Sequence, residues 1–476
     1  MDYFYQFYNW LFKREHTGKS TAEARQYRVV ATTQAQEDAF DIVAAKGPGK
    51  YSGFLGTIAH LVKGALGAGI MSGHVGFMKG GLYPSLVTSF IAGSYIGYCL
   101  YKLMSSAQII YKRTNIPEMN YPDIAEAATA IFPNPKVQRF SVFFRHYLDV
   151  IICMELFGAC ACYQLIIART MKQLIEDTAS FTMDIRLYLV IIIIPILLIC
   201  MVTNLKSLAP LSIVGNLFVL ACLALTIRYA VQLNPSFTGM RPTTSLWSYL
   251  EFLGMSIFSM SCAGVVVPVS NNMKQPEKFG FVMVIGMGTI TALYILISFF
   301  GYAAYKDGCV TPITLNFPLE IGPNILKGLI AVMVYITHGL NFYQPFHIVW
   351  FYIKPRVANK CKLSIYKWEL IFRCVFALLV SVIAIVFPQI NNLMGFLGAF
   401  CLSNMALICP SIIELLVIWH RPGLGRFKWR LWKCATLIVV GFAVLFVSSG
   451  VNLYSLVVPA KAKETATTAA PPPPAS

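Results

Sequence analysis

Residues 60–81 read HLVKGALGAGIMSGHVGFMKGG, an apolar segment that nevertheless carries seven glycines in 22 positions: Gly64, Gly67, Gly69, Gly73, Gly76, Gly80 and Gly81. Each glycine weakens a helix by roughly 1 kcal/mol relative to alanine, so the spacing predicts a helix that is broken or unwound in its middle. A break at membrane depth survives only where the freed N–H and C=O groups meet protein, water or ligand. The stretch is therefore a candidate solute site, with Gly64, Ala65, Gly67 and Gly69 closest to a carboxylate or an ion. A second reading is packing. Ala65, Gly69 and Gly73 recur at i, i+4 and i+8 and would let another helix approach closely.

The rest of the chain fixes the medium. It has 476 residues, 57% of them hydrophobic and 12% charged, with mean hydropathy +0.63, too apolar for a soluble protein with an ordinary surface. It reads as an all-α polytopic membrane protein. Apolar runs of the length needed to span a bilayer number eleven, near 54–78, 83–108, 141–170, 187–204, 210–231, 247–269, 281–304, 325–353, 368–387, 393–419 and 432–456. This division leaves an N-terminal tail over 1–50, a transmembrane domain over 51–456 and an Ala/Thr/Pro-rich tail over 457–476 that is expected to be disordered. The first 50 residues hold no apolar stretch long enough for a signal peptide, so the first span is expected to direct insertion.

A formal charge of +17 would suggest nucleic acid in a soluble domain, but here its placement matters more than its size, and no nucleic-acid partner is expected. With the N-terminus in the cytosol, the cytosolic segments hold 24 Lys and Arg, the opposite side nine, and the spans themselves five. The positive-inside rule then places the N-terminus inside and the C-terminus outside. The 13 cysteines sit mostly in apolar runs without metal-ligand spacing, and no metal or cofactor is expected. No glycosylation sequon with an allowed middle residue marks an outer loop. Phosphate loops, zinc spacings and nucleophile motifs are not evident either, so an enzyme is not expected.

The sixth apolar run repeats the oddity of the first. In LGMSIFSMSCAGVVVPVSNNMKQPEKFG, Ser259, Ser261, Cys262, Ala263 and Gly264 precede Pro268. Small residues before a proline that lacks an N–H again predict local unwinding. If spans 1–5 and 6–10 are inverted repeats, the two breaks face each other across a midplane cavity.

At this point the residues resemble a known family. His60-Leu61-Val62-Lys63-Gly64 is similar to the HLxKG signature of proton-coupled amino acid transporters, within the amino acid/auxin permease superfamily. The likeness continues through Asn204-Leu205-Lys206, Leu208-Ala209-Pro210, Gly264-Val265-Val266 with Pro268, and Asn272 to Glu277. It recurs at Ile313 to Asn316, at Phe342-Tyr343 with Pro345, at Gly398 to Cys401, and at Pro410 with Ile412 to Leu416. The resemblance implies a LeuT-type 5+5 inverted repeat plus an eleventh helix, importing small amino acids with protons across the plasma or the lysosomal membrane. The chain departs from the family in three places: His74 stands for a proline, Met260-Ser261-Cys262 for Phe-Glu-Gly, and His338-Gly339 for Tyr-Pro. Cys309 has no evident partner for an outer-loop disulfide.

An amino acid zwitterion needs donors for its carboxylate and acceptors for its ammonium. Backbone N–H groups around Gly64 to Gly69 can serve the first need, and carbonyls around Ser261, Cys262, Ala263 and Gly264 the second. Tyr163 matches a family aromatic near the site. His60 shares a helix face with Gly64 and Gly67, and the histidine reference pKa of roughly 6.5 suits proton coupling. Glu155, a carboxylate inside a lipid span, either substitutes for the carboxylate missing from span 6 or pairs with Arg145 or Lys63 to hold helices together. His74 and His338 either line the pathway or are satisfied structural histidines. Arg145 and Asp149 form a simple i, i+4 pair, and Glu414 is a packing or gating acid. Besides a proton-coupled importer, two alternatives stay open: a sensor or signalling scaffold that retains the fold, and an uncoupled facilitator.

Overall fold

A computed structural model describes residues 27, 29–30, 33–47, 51–65, 67, 69–178, 182–202, 221, 224–229, 231–232, 238–358, 364–419 and 421–458. Those residues are almost entirely helical. The first span is two helices, α1 (Phe54–Ala65) and α2 (Gly73–Gly80), joined through a 3-10 turn at Ile70–Ser72 and bent by 50°. Next come α3 (Leu82–Thr114), α4 (Tyr121–Ala130), α5 (Ser141–Thr178) and α6 (Ile185–Cys200). The second broken span is α7 (Leu246–Met260) and α8 (Ala263–Asn271). Then α9 (Phe279–Tyr305), α10 (Ile321–Ala358), α11 (Ile365–Val386), α12 (Ile390–Leu397), α13 (Cys409–Ile418), α14 (Trp429–Ala443) and α15 (Ser449–Val457) complete the chain.

Among the described residues, seven helices are long and apolar enough to cross a membrane, or eight with the bent first pair. This falls short of the eleven apolar runs for stated reasons. The run at 210–231 and the motif Asn204 to Pro210 lie mostly outside the described residues, as do most of 1–50 and all of 459–476. Helix α6 has 16 residues, about 24 Å at 1.5 Å per residue, shorter than the hydrocarbon core. Helix α3 has 33 residues and is long enough, but its serines, tyrosines and Lys102 dilute its apolar character.

Helices α5 and α10, each 38 residues, form the most extensive pair and make one wall of the core. The breaks make the other. A Cβ at Gly64 would lie 2.5 Å from Val265 Cγ2, and one at Gly69 would lie 2.5 Å from the Ser259 backbone, so only glycine lets α1 reach α8 and the start of α2 reach α7. The centre of span 10 is wound into π-helical turns at Gly398–Leu402 and Asn404–Ile408, and Gly398 packs directly on the Gly254 carbonyl.

Polar ties close the end of the bundle that carries Gly81. Lys79 Nζ lies 2.6 Å from Glu251 Oε2 and donates to Asn392 Oδ1 at 2.9 Å, while Ser455 Oγ donates to Glu251 Oε1 at 2.6 Å. Arg169 donates to the carbonyls of Thr311 and Pro388. At the opposite end a short strap crosses the bundle. Its helix Gln34–Ala39 starts in a capping box formed by Thr33 and Gln36, and the buried Glu37 meets Arg113 Nε at 3.1 Å and Arg421 Nη1 at 3.4 Å. Arg113 also donates to the carbonyls of Val417 and Arg421. Further along, Lys46 Nζ donates to Asn271 O at 2.6 Å; burial lowers this ammonium below its ordinary pKa, with Glu118 acting against the shift. Ser52 then exchanges backbone hydrogen bonds with Asn272 and Lys274.

Arg113 is thus a buried ion bonded to three partners. Removing one side of such a group leaves the others uncompensated, at a cost of about 3 kcal/mol. Arg113→Ala should therefore lower the thermal unfolding midpoint of the purified protein well below that of a surface control such as Lys354→Ala, measured by differential scanning fluorimetry.

Candidate functional site

Between the breaks and α10 lies a cavity of about 590 Å³, within the range of roughly 300–1,000 Å³ typical of small-molecule sites. Helix α1 contributes Thr57, His60, Lys63 and Gly64, and the break adds Gly67 and Met71. Tyr163 comes from α5, and Gly264, Val265, Pro268, Val269 and Asn272 come from α8 and its end. Met333, Val334, Thr337, Leu340, Asn341 and Gln344 come from α10. The mouth is at the strap end, where Ser52 also lines it and His60 and Gln344 are exposed.

The geometry of the breaks decides what points inward. Helix α1 ends at Ala65, and the N–H of Gly67 folds back to the Ala65 carbonyl at 2.9 Å. The chain becomes helical again at Ile70, where the N–H groups of Ile70 and Met71 have no preceding helical turn to donate to, while that of Ser72 donates to the Gly69 carbonyl at 3.0 Å. Met71 of that turn lines the cavity. In the second span Ser261 is extended, at φ −77° and ψ 132°, and α8 starts at Ala263. Pro268 sits inside α8 and not at the break. Lacking an N–H, it leaves the carbonyl of Gly264 without its helical donor. Pro345 inside α10 does the same to the carbonyl of Asn341. Both residues with a released carbonyl line the cavity.

Tyr163 is held at the top of the cavity, its Oη accepting from Asn341 Nδ2 at 2.9 Å. A Cβ at Gly67 would stand 3.3 Å from that hydroxyl. The charge of the lining is one-sided: Lys63 and His60 face the cavity, and among the described residues no Asp or Glu does.

The residues singled out in the sequence divide in two. His60, Gly64, Gly67, Tyr163 and Gly264 line the cavity. Ala65 is buried beneath it, and Gly69 is taken up by contact with Ser259. Cys262 and Ala263 are buried, with Cys262 Sγ 3.5 Å from Met287 Sδ, on the side of α8 away from the solute space. Ser261 is half-buried at the break, where its Oγ accepts from Ala263 N.

His74 and His338 stand apart from the cavity as well. His74 is fully buried, with Nε2 at 2.9 Å from Val310 O and 3.2 Å from Asn316 Nδ2, so it fastens the 309–316 loop to α2. His338 is also fully buried, with Nε2 at 3.1 Å from Gln164 Nε2 and its ring stacked on Phe342.

Glu155 does not line the cavity. It is half-buried on α5 within electrostatic reach of Tyr163 and Cys401. No ion pair to Glu155 occurs among the described residues, which corrects the expectation of a contact with Arg145 or Lys63. Arg145 turns instead to Glu126 at 2.8 Å and Asp123 at 3.2 Å, with Asp149 more distant at 4.0 Å. Glu414 binds Lys433 at 2.6 Å and Lys102 at 3.7 Å. Cys309 is buried as a free thiol. Among the described residues no group of three or more His, Cys, Asp or Glu is arranged to hold a metal.

Sequence reasoning missed Thr57, Thr337, Asn341 and Gln344. The readable signal for Asn341 was Pro345 four residues on, inside an otherwise apolar run.

Residues 50–454 match the family described as "Transmembrane amino acid transporter protein". A Drosophila melanogaster protein named "Proton-coupled amino acid transporter-like protein pathetic" is 35% identical over 399 residues, covering 82% of each chain. A Caenorhabditis elegans protein named "Probable amino acid transporter skat-1" is 21% identical over 408 residues, covering 83% of this chain and 88% of its own. In fold, the chain is similar to Mhp1 in its inward-facing conformation, with a TM-score of 0.54 at 13% identity over 88% of this chain and 95% of that one.

Two glycines make opposite predictions. Gly69→Ala drives a Cβ into the Ser259 backbone, an overpacking cost of about 1–3 kcal/mol, and should reduce both folded yield and uptake. Gly67→Ala meets only the Tyr163 hydroxyl, so the protein should fold normally while amino acid uptake weakens. Monodispersity on gel filtration and radiolabelled uptake separate the two outcomes.

Proposed function

The chain belongs to the transmembrane amino acid transporter family, and from that premise we propose that it is a secondary transporter importing small neutral amino acids into the cytosol with protons, by alternating access. The observation that carries the reading is the cavity between two broken helices, lined by Lys63 and His60 and, among the described residues, by no carboxylate. The N–H groups at the start of the outer half of span 1, the Tyr163 hydroxyl and Lys63 serve the solute carboxylate. The released carbonyls of Gly264 and Asn341 serve the ammonium. A cationic side chain would meet Lys63 with no acid to receive it, which favours neutral solutes, and Met71, Val265 and Val334 favour small ones.

The eleven-span reading, a 5+5 inverted repeat plus one helix with the N-terminus in the cytosol, rests on the apolar runs and on the 24-to-9 bias of basic residues. In that orientation the cavity opens to the cytosol. The resident membrane is the plasma membrane or the lysosomal membrane. His60, at the exposed mouth, is the proposed proton-coupling residue; Glu155, a turn and more away from the solute, is the second.

Uptake of an amino acid panel into vesicles at about pH 5.5 and 7.5, values that bracket the titration of histidine, tests this. Small neutral amino acids should be taken up faster at the acid pH, and lysine and arginine should not be carried. His60→Ala should remove the acid stimulation without loss of membrane expression; unaltered stimulation would take His60 out of the mechanism. Glu155→Gln should alter the pH profile, and an unchanged profile leaves Glu155 a structural role only. Lys63→Gln should raise the apparent KM by about tenfold, the weight of a charged hydrogen bond.

A further inference from the structure

Residues 421–433, at the strap end of the bundle, read RPGLGRFKWRLWK: five cations, three aromatics and no acid in 13 positions. The segment overlaps the start of the span Arg426–Val457. Phe427, Trp429 and Trp432 are 83%, 53% and 69% exposed, far more than large aromatics tolerate in water. Phe427 and Lys428 both have positive φ, 56° and 53°, a conformation that side chains with a Cβ adopt only at a cost. Both side chains are exposed.

The cations are arranged around the rings. Arg426 lies over Phe427 at 5.3 Å, Arg430 over Trp429 at 5.6 Å, and Lys433 over Trp429 and Tyr98 at 5.9 and 5.5 Å. Two of the five cations have acids: Arg421 meets Glu37, and Lys433 meets Glu414, which Lys102 also approaches. Among the described residues, no ion pair engages Arg426, Lys428 or Arg430. Aromatic rings interleaved with cations at a span end fit the interface between acyl chains and headgroups, and guanidinium groups fit phosphate oxygens.

We propose that residues 421–433 form a docking surface for anionic phospholipid headgroups of the leaflet on the strap side, with Arg426, Lys428 and Arg430 on the phosphates and Phe427, Trp429 and Trp432 in the interface. Arg421 ties this segment to Glu37 of the strap, which also meets Arg113, so the docking surface is joined to the strap through a buried acid.

The test uses the full chain in nanodiscs of phosphatidylcholine with a minority of phosphatidylserine, reading by mass spectrometry the lipid that stays bound through detergent purification. The wild type should enrich phosphatidylserine at low ionic strength and lose the enrichment as salt rises. The triple variant R426Q/K428Q/R430Q should lose about fivefold or more of it, the effect expected from even one basic residue at an anionic surface. R426K/K428R/R430K keeps the charge and should keep the enrichment, which separates lipid binding from misfolding. The control K354Q/R356Q/K367Q removes three cations from the end of α10 and the start of α11 and should leave the enrichment intact. Equal enrichment in the glutamine triple, or equal loss in the control, overturns the proposal.

Discussion

In hydrocarbon a backbone N–H or C=O without a partner costs several kcal/mol, so a membrane helix can open only where something other than lipid receives the freed groups. Everything around the cavity follows from that limit. The two breaks lie against each other, and glycine makes the approach: Gly64 leaves room for Val265, and Gly69 for the Ser259 backbone. Close packing and a place at the cavity wall, which look like rival readings of the same glycines, are therefore one arrangement. Gly69 spends its missing side chain on contact, while Gly64 and Gly67 also border the solute space.

The two ends of the bundle are held by different means. The Gly81 end is closed by short polar ties that join α2 and α7 to each other and to the helices beyond: Lys79 to Glu251 and Asn392, and Glu251 to Ser455. The other end has the cavity mouth, and there the bonds run to the strap.

Much of this was legible in the sequence. The glycine run gave the first break, and the cluster Ser259 to Gly264 gave the second within a residue or two, because small residues fail locally. What depends on packing was not legible. Cys262 and Ala263 lie at the right break but are buried, Cys262 against Met287, since a half-turn of rotation about α8 decides which side faces the cavity. His74 and His338 occupy telling positions, yet each is consumed by a local bond, to Val310 and to Gln164. Arg145 chose Glu126, 19 residues upstream, over Asp149 one turn along its own helix, because a contact between helices can align better than one within a helix. Thr337, Asn341 and Gln344 were hidden because α10 reads as a plain apolar run until α5 packs on one side of it and leaves the other open.

The backbone bonds at Ser52 have a mechanical meaning. Ser52 accepts from Lys274 and donates to Asn272, so the start of α1 is stapled to the end of α8, and Gly64 against Val265 fastens the same two half-helices near their other ends. Two rods joined at both ends are a single lever. Under the alternating access proposed above, the two half-helices would move about one hinge axis in place of two, and positions in which one has swung without its mate would break one of these joints.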